Sequence, residues 1–212
     1  MHSIKHIYFD VGGVLLLDFS GTTKWTELKR DLGFAADQDE IFDSIWQKYR
    51  HRICLDCDVD TIVADFEVVL GKKLANYSLL QDFVSRFEHN PSIWPVAAAA
   101  KAKYSVGLLT NMYPRMFQTI NEHKLLPDIT WDAVVDSSVV GLQKPEPGIY
   151  EYAMQAAQVA PESILFIDNS PEHLAGAAQF GWQTLLYDPQ QAEASSREII
   201  ERLGLETALY KG

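Results

Sequence analysis

Four polar side chains in this 212-residue chain have types and positions that suit chemistry: Asp10, Thr110, Lys144 and Asp168. Asp10, Thr110 and Asp168 each end a short apolar run, and Lys144 lies in Gly141-Leu142-Gln143-Lys144-Pro145-Glu146-Pro147. Two carboxylates can hold a hard divalent cation, while a lysine and a hydroxyl can hold the oxygens of a phosphoryl group. Such a cation also offsets the repulsion between a carboxylate nucleophile and an anionic substrate. The chemistry this set supports is in-line displacement at phosphorus through an aspartyl-phosphate, a form of covalent catalysis. Singly, each residue has a plainer explanation. An Asp after a strand often makes a turn, Thr110-Asn111 resembles a helix N-cap, and most lysines are solvated. The inference rests on all four occurring together in this order.

These residues need a scaffold that brings them to one place. Residues 6–11 read as a short buried strand that Gly12-Gly13 ends, and residues 105–110, 133–136, 163–168 and 184–187 read as further strands. Helical stretches fall near 96–103, 114–123, 148–158 and 171–180. Fully apolar strands alternating with helices predict an α/β fold, a doubly wound parallel sheet covered on both faces. Ligands bind such sheets outside the carboxyl ends of the strands, where Asp10, Thr110 and Asp168 would stand.

Residues 18–89 interrupt this alternation with a helical pattern. Ile41, Phe42, Ile45, Trp46 and Tyr49 share one helix face. Asp60 is the expected N-cap of a helix carrying Ile62, Val63, Phe66, Val69 and Leu70, with Gly71 as its stop. Another helix is expected over 79–87, and no strand pattern is visible in this segment. The predicted organisation is an α/β core of residues 1–17 and 90–212, with a small helical domain of residues 18–89 inserted after strand one.

The net charge of −11 gives the chain no general attraction to nucleic acid or anionic membrane surfaces. An anionic substrate must therefore be held by a local positive site. No apolar run approaches the roughly 20 residues that span a bilayer, and the start does not resemble a secretory signal. Cys54 and Cys57 are too few for a disulfide scaffold and read as reduced thiols near a helix–helix turn. A cytoplasmic protein acting on a small molecule is the expectation. The five tryptophans are scattered as packing residues would be, the six histidines share no motif, and none is assigned a role. Gly12-Gly13 lacks the Gly-Lys-Ser/Thr ending of a phosphate-binding loop.

Written as runs, the motif residues resemble the haloacid dehalogenase-like hydrolase superfamily over nearly the whole chain. Phe9-Asp10-Val11-Gly12-Gly13-Val14-Leu15 looks like its first motif, with Asp10 at the nucleophile. Leu108-Leu109-Thr110-Asn111 is similar to the second, and Lys144-Pro145-Glu146-Pro147-Gly148-Ile149-Tyr150 to the third. Phe166-Ile167-Asp168-Asn169-Ser170 resembles the fourth. The resemblance implies a magnesium-dependent phosphomonoester hydrolase. Thr110, Asn111 and Lys144 would hold phosphoryl oxygens; Asp10, the Gly12 carbonyl, Asp168 and Asn169 would hold Mg2+. Residues 18–89 would be the helical cap that selects substrates.

Two departures qualify that picture. Most phosphatases of the superfamily carry an Asp two residues after the nucleophile as general acid, and here that residue is Gly12. The chain resembles a branch with this glycine that includes sugar-1-phosphate phosphatases. Many relatives also have Asp where this chain has Asn169, which offers magnesium an oxygen but no charge. Two other functions compete. Haloacid dehalogenases also lack the second Asp, and Lys144 with Tyr150 matches their spacing. A catalytically impaired binding protein would keep the fold and erode the motifs.

Overall fold

The apolar runs do become strands, and they fall into register with one another. The computed structural model describes residues 3–206. Short 3-10 turns aside, the first half comprises β1 (His6–Phe9), β2 (Leu16–Leu17), α1 (Lys24–Leu32), α2 (Asp39–Tyr49), α3 (Val63–Leu70), α4 (Leu79–Ser85) and β3 (Glu88–His89). The second half alternates: α5 (Trp94–Lys101), β4 (Ser105–Thr110), α6 (Met116–Glu122), β5 (Ala133–Asp136), α7 (Ser137–Val140), α8 (Pro147–Ala157), β6 (Ile164–Asp168), α9 (Pro171–Ala178), β7 (Gln183–Leu186) and α10 (Ala192–Leu203).

The main sheet has five strands in the order β5-β4-β1-β6-β7, each pair parallel. Parallel strands need crossover connections, and the intervening helices supply them on both faces. Every residue of β1 and β6 is buried, which explains why neither shows polar alternation. After β1 the chain builds outward through β4 and β5, then returns to the other side of β1 for β6 and β7. The reversal puts a switch point at the carboxyl end of β1.

Register decides what meets there. Phe9 pairs with Leu108 on one side and Ile167 on the other. One residue further on, Asp10 is level with Leu109 and Asp168. Two acidic side chains thus stand abreast on neighbouring strands, roughly 4.8 Å apart in the sheet direction.

The helical segment is tethered by a feature the sequence did not reveal. Leu16 pairs with His89 and Leu17 with Glu88, so β2 and β3 form a two-stranded antiparallel ribbon. Helices α1–α4 all lie between its two strands. The expectation of no strand before residue 90 is therefore corrected; two residues are too few to show periodicity. Asn90 fixes the return point, donating to the Val14 carbonyl at 2.7 Å and to Tyr187 Oη at 2.9 Å. Asp60 is not the N-cap expected of it. Asp58 caps the turn leading into α3 by accepting from the Asp60 N–H, while Asp60 accepts from Ser78 Oγ and the Leu80 N–H. The cap lies two residues earlier because a 3-10 turn, Val59–Ile62, precedes the α-helix. Gly71 does end α3, in the left-handed conformation. Phe34, Phe42 and Phe66 pack ring against ring inside this segment. They belong to the same apolar cluster as Ile7 and Phe9 of β1, so core and insertion share one hydrophobic interior.

One buried titratable group gives this fold a pH dependence. His6 on β1 is about 1% exposed, bonded at Nδ1 to Ser105 Oγ, with Nε2 buried and unpartnered. Burial pushes its pKa down from 6.5 to about 4. As pH falls below 6.5 the unfolded chain binds a proton that folded His6 refuses until about pH 4, so stability is lost across that window. Wild type should lose about 2 kcal/mol more than a His6→Gln variant between pH 7 and pH 5 in urea denaturation. Parallel curves for the two proteins would refute this.

Candidate active site

At the switch point the ammonium of Lys144 fills the space between the two carboxylates. Its Nζ lies 3.0 Å from Asp10 Oδ1 and 2.6 Å from Asp168 Oδ2, and it donates to the Leu109 carbonyl at 3.0 Å. Those acceptors come from the three residues that register makes level. An ammonium has three donors, and each finds one partner. The side chains of Lys144 and Asp168 are fully buried, and that of Asp10 is 9% exposed. Two buried carboxylates and one ammonium leave a net charge of −1.

The loop carrying Lys144 is held from the neighbouring loop. Asn111 accepts from the Lys144 N–H at 2.8 Å and donates to the Lys144 carbonyl at 2.9 Å. Both polar ends of the Asn111 side chain therefore hold main chain, which makes it a positioning residue for Lys144. Ser137 ties the same region to the insertion: its Oγ accepts from the Met112 N–H and donates to the Cys54 carbonyl at 2.6 Å. Arg115 adds a second link, pairing with Asp58 at 2.7 Å and Asp60 at 2.9 Å.

A cavity of about 340 Å³ opens in front of Asp10. Asp10, Gly12, Thr110, Asn111 and Asn169 line it from the core; Trp25, Cys54, Phe83 and Phe87 line it from the insertion. Lys144 and Asp168 sit behind this wall. The structure therefore gathers all the expected residues, but in two layers. Thr110, Gly12 and Asn169 face the cavity directly, whereas Lys144 lies behind them against Asp10. Gly13 keeps this front layer tight. Its φ of +75° suits glycine, and an added Cβ would collide with the Asn169 side-chain amide.

The carboxylates differ in charge state. Burial pushes the Asp10 pKa up to about 6, with Lys144 opposing and Asp168 adding to the rise. Asp168 is buried too, but Lys144 and His173 hold it well below the usual carboxylate range. Asp168 is the fixed anion, and Asp10 is the group whose charge a local cation would decide. The bonds that Asp10 accepts from Lys144 and from the Val11 N–H, the latter at 2.8 Å, both fall on Oδ1. Oδ2 is thus the oxygen left for the cavity.

His173 is a participant the sequence reading missed. Its Nδ1 is 3.2 Å from both oxygens of Asp168, and it lines the cavity. The signal was its spacing: five residues past Asp168, in the first turn of α9, which starts at Pro171. Asp18 was likewise unassigned, although it lines the cavity and burial raises its pKa. Cys54 does line the cavity, but burial pushes its thiol up to about 12, so it is not a thiolate nucleophile.

Asp10, Asp168 and His173 offer ligand atoms within 4.8 Å of one another. That donor set, with a net negative charge behind it, fits a divalent cation. Removing the central ammonium would strand two buried carboxylates. Lys144→Met should cost about 3–5 kcal/mol in urea denaturation, and adding Asp168→Asn should recover part of that loss. A double variant no more stable than the single one would refute the charge-balancing role of Lys144.

Similarity to known proteins agrees with this geometry. The chain is 26% identical to a phosphatase of Mycobacterium tuberculosis, over 88% of each protein. It is 25% identical to the bifunctional epoxide hydrolase 2 of Sus scrofa, over 96% of this chain but only 40% of that protein's length. A HAD family enzyme from Bacteroides thetaiotaomicron, solved with magnesium and inorganic phosphate, superposes with a TM-score of 0.71 at 19% identity, over 89% of this chain and 96% of that one. Haloacid dehalogenases are also among the similar proteins. The family model of the haloacid dehalogenase-like hydrolases matches residues 4–181, from the first strand through Asp168 and α9. By that match, and by the sheet and strand-end residues it spans, the chain belongs to the haloacid dehalogenase-like hydrolases.

Proposed function

We propose that this protein is a magnesium-dependent phosphomonoester hydrolase that acts on a small phosphorylated metabolite through an aspartyl-phosphate on Asp10. The observation that carries this reading is the state of Asp10. Its Oδ1 is anchored by Lys144 and the Val11 N–H, and Oδ2 is left beside a cavity that Thr110 also lines. Attack by Oδ2 on phosphorus forms the acyl phosphate and expels the alcohol; water then attacks phosphorus and returns free Asp10 and inorganic phosphate. Thr110 orients the phosphoryl group. Lys144 keeps Asp10 anionic and fixed, and Asn111 keeps Lys144 in place.

Asp10 and Asp168 would hold the cation, with the Gly12 carbonyl and Asn169 as the neutral donors and His173 orienting Asp168. Bound there, magnesium supplies positive charge against the phosphoryl oxygens. A cavity of about 340 Å³ with aromatic walls suits a leaving group of metabolite size, a sugar among them. Residues 18–89 serve as the cap, since Trp25, Cys54 and Phe83 of this segment line the same cavity as Asp10 and Thr110. Neither nucleic acid nor membrane is part of this reading. Among the described residues no helix is long and apolar enough to cross a bilayer. The two cysteines are free, in keeping with a cytoplasmic location.

The dehalogenase reading draws less support. Tyr150, which it brings in with Lys144, is fully buried and donates to the His173 carbonyl at 2.8 Å. It is not among the residues that line the cavity.

Purified protein with magnesium should release phosphate from a panel of phosphomonoesters. A chelator should abolish that turnover, and Asp10→Asn should lower it by at least about 10⁴-fold. Halide release from 2-chloropropionate in the presence of chelator would instead make it a dehalogenase. Silence toward every ester, together with unchanged ligand binding in Asp10→Asn, would make it a binding protein.

A further inference from the structure

Phosphoryl transfer from an alcohol ester has a second requirement besides a nucleophile: the departing oxygen needs a proton. Gly12 offers no side chain for this. The chain around it, however, folds back on itself. Gly13 N–H donates to the Leu16 carbonyl at 2.8 Å and Leu16 N–H to the Val11 carbonyl at 2.9 Å. The tight turn, made possible by the positive φ of Gly13, returns residue 18 to the neighbourhood of residue 12. A Cβ built on Gly12 would lie 2.6 Å from Asp18 Oδ2 and 3.4 Å from its Cγ. The space where a side chain at position 12 would start is therefore filled by the carboxyl group of Asp18. Asp18 Oδ1 is fixed by the Ser20 N–H at 2.8 Å, and Oδ2 is the end that approaches Gly12. Asp10, Gly12 and Asp18 all line the same cavity.

We propose that Asp18 is the general acid–base of this enzyme, its carboxyl group delivered from six residues downstream into the space that Gly12 leaves open. The proposal rests on the phosphomonoesterase reading given above. As Asp10 Oδ2 bonds to phosphorus and the ester P–O bond breaks, the Asp18 carboxylic proton passes to the departing oxygen, which leaves as an alcohol. The Asp18 carboxylate then takes a proton from the water that attacks phosphorus, the Asp10–phosphorus bond breaks, and Asp18 is again protonated. Gly12 is explained by the same geometry, because any side chain there would collide with Asp18. The other protonatable groups at the cavity are less well placed: His173 Nδ1 is committed to Asp168, and Cys54 and Tyr113 are intrinsically weaker acids.

The test compares phenyl phosphate with para-nitrophenyl phosphate, whose leaving groups differ little in shape but greatly in their need for a proton. Asp18→Asn keeps an oxygen to accept from Ser20. It should lower kcat/KM on phenyl phosphate by about 10²-fold or more, and on para-nitrophenyl phosphate by less than about tenfold. An equal loss on both esters, or no loss on either, overturns the proposal. The double variant Gly12→Asp/Asp18→Ser should restore the wild-type ratio between the two esters, and a ratio like that of Asp18→Asn counts against it. If neither variant folds, the wild type decides. A shallow dependence on leaving group across substituted phenyl phosphates supports Asp18, and a steep one refutes it. Wild type inert to every ester with magnesium would instead sink the phosphomonoesterase reading itself.

Discussion

One ammonium group held between two buried carboxylates organises this molecule. Placing Asp10 and Asp168 abreast in the interior is costly, because each carboxylate loses its water and faces the other. Lys144 offsets that cost by meeting Asp10, Asp168 and the Leu109 carbonyl with its three donors. The arrangement demands a particular sheet. Only parallel strands in the register Phe9 with Leu108 and Ile167 make those three acceptors level. It also demands a fixed loop, and Asn111 supplies the clamp by bonding both main-chain groups of Lys144. Fold and site are in this sense one problem, solved by strand order at the switch point.

The remaining charge explains why the site suits a cation. One ammonium does not neutralise two carboxylates, and the residual −1 attracts a cation before it would admit a phosphate. The asymmetry between the two acids follows from their surroundings. Asp168 has two basic neighbours, Lys144 and His173, whereas Asp10 touches the cavity and feels Asp168 beside it. The insertion then closes the front of the site. Its aromatic residues line the cavity, and its attachments run through the Leu16–His89 ribbon, Asn90 and the Ser137–Cys54 bond.

The sequence disclosed the parts of this that repeat or that span several residues. Five apolar runs gave five strands within about two residues, because burial on both faces leaves a continuous hydrophobic signature. Asp10, Thr110, Lys144 and Asp168 were legible because a polar residue ending such a run is conspicuous. Other features depended on three-dimensional placement. The β2–β3 ribbon is two residues long on each side, too short for periodicity. Helix α10 went unremarked because its buried positions include Ser195 and Ser196, which weaken its apolar stripe. His173 and Asp18 have no motif of their own; a helix start brings one against Asp168, and a tight turn brings the other against Gly12. The two-layer arrangement, with Lys144 behind Asp10, could not be read from spacing at all.

The central claim is that Asp10 becomes phosphorylated during turnover while Lys144 holds it in place. The direct measurement is acid quenching of the protein early in turnover of para-nitrophenyl phosphate with magnesium, followed by mass spectrometry of its peptides. The account predicts one added phosphoryl group on the peptide that contains Asp10, labile to hydroxylamine and absent from Asp10→Asn. Sustained turnover with no phosphoryl group on Asp10, or with the group on another residue, would contradict it.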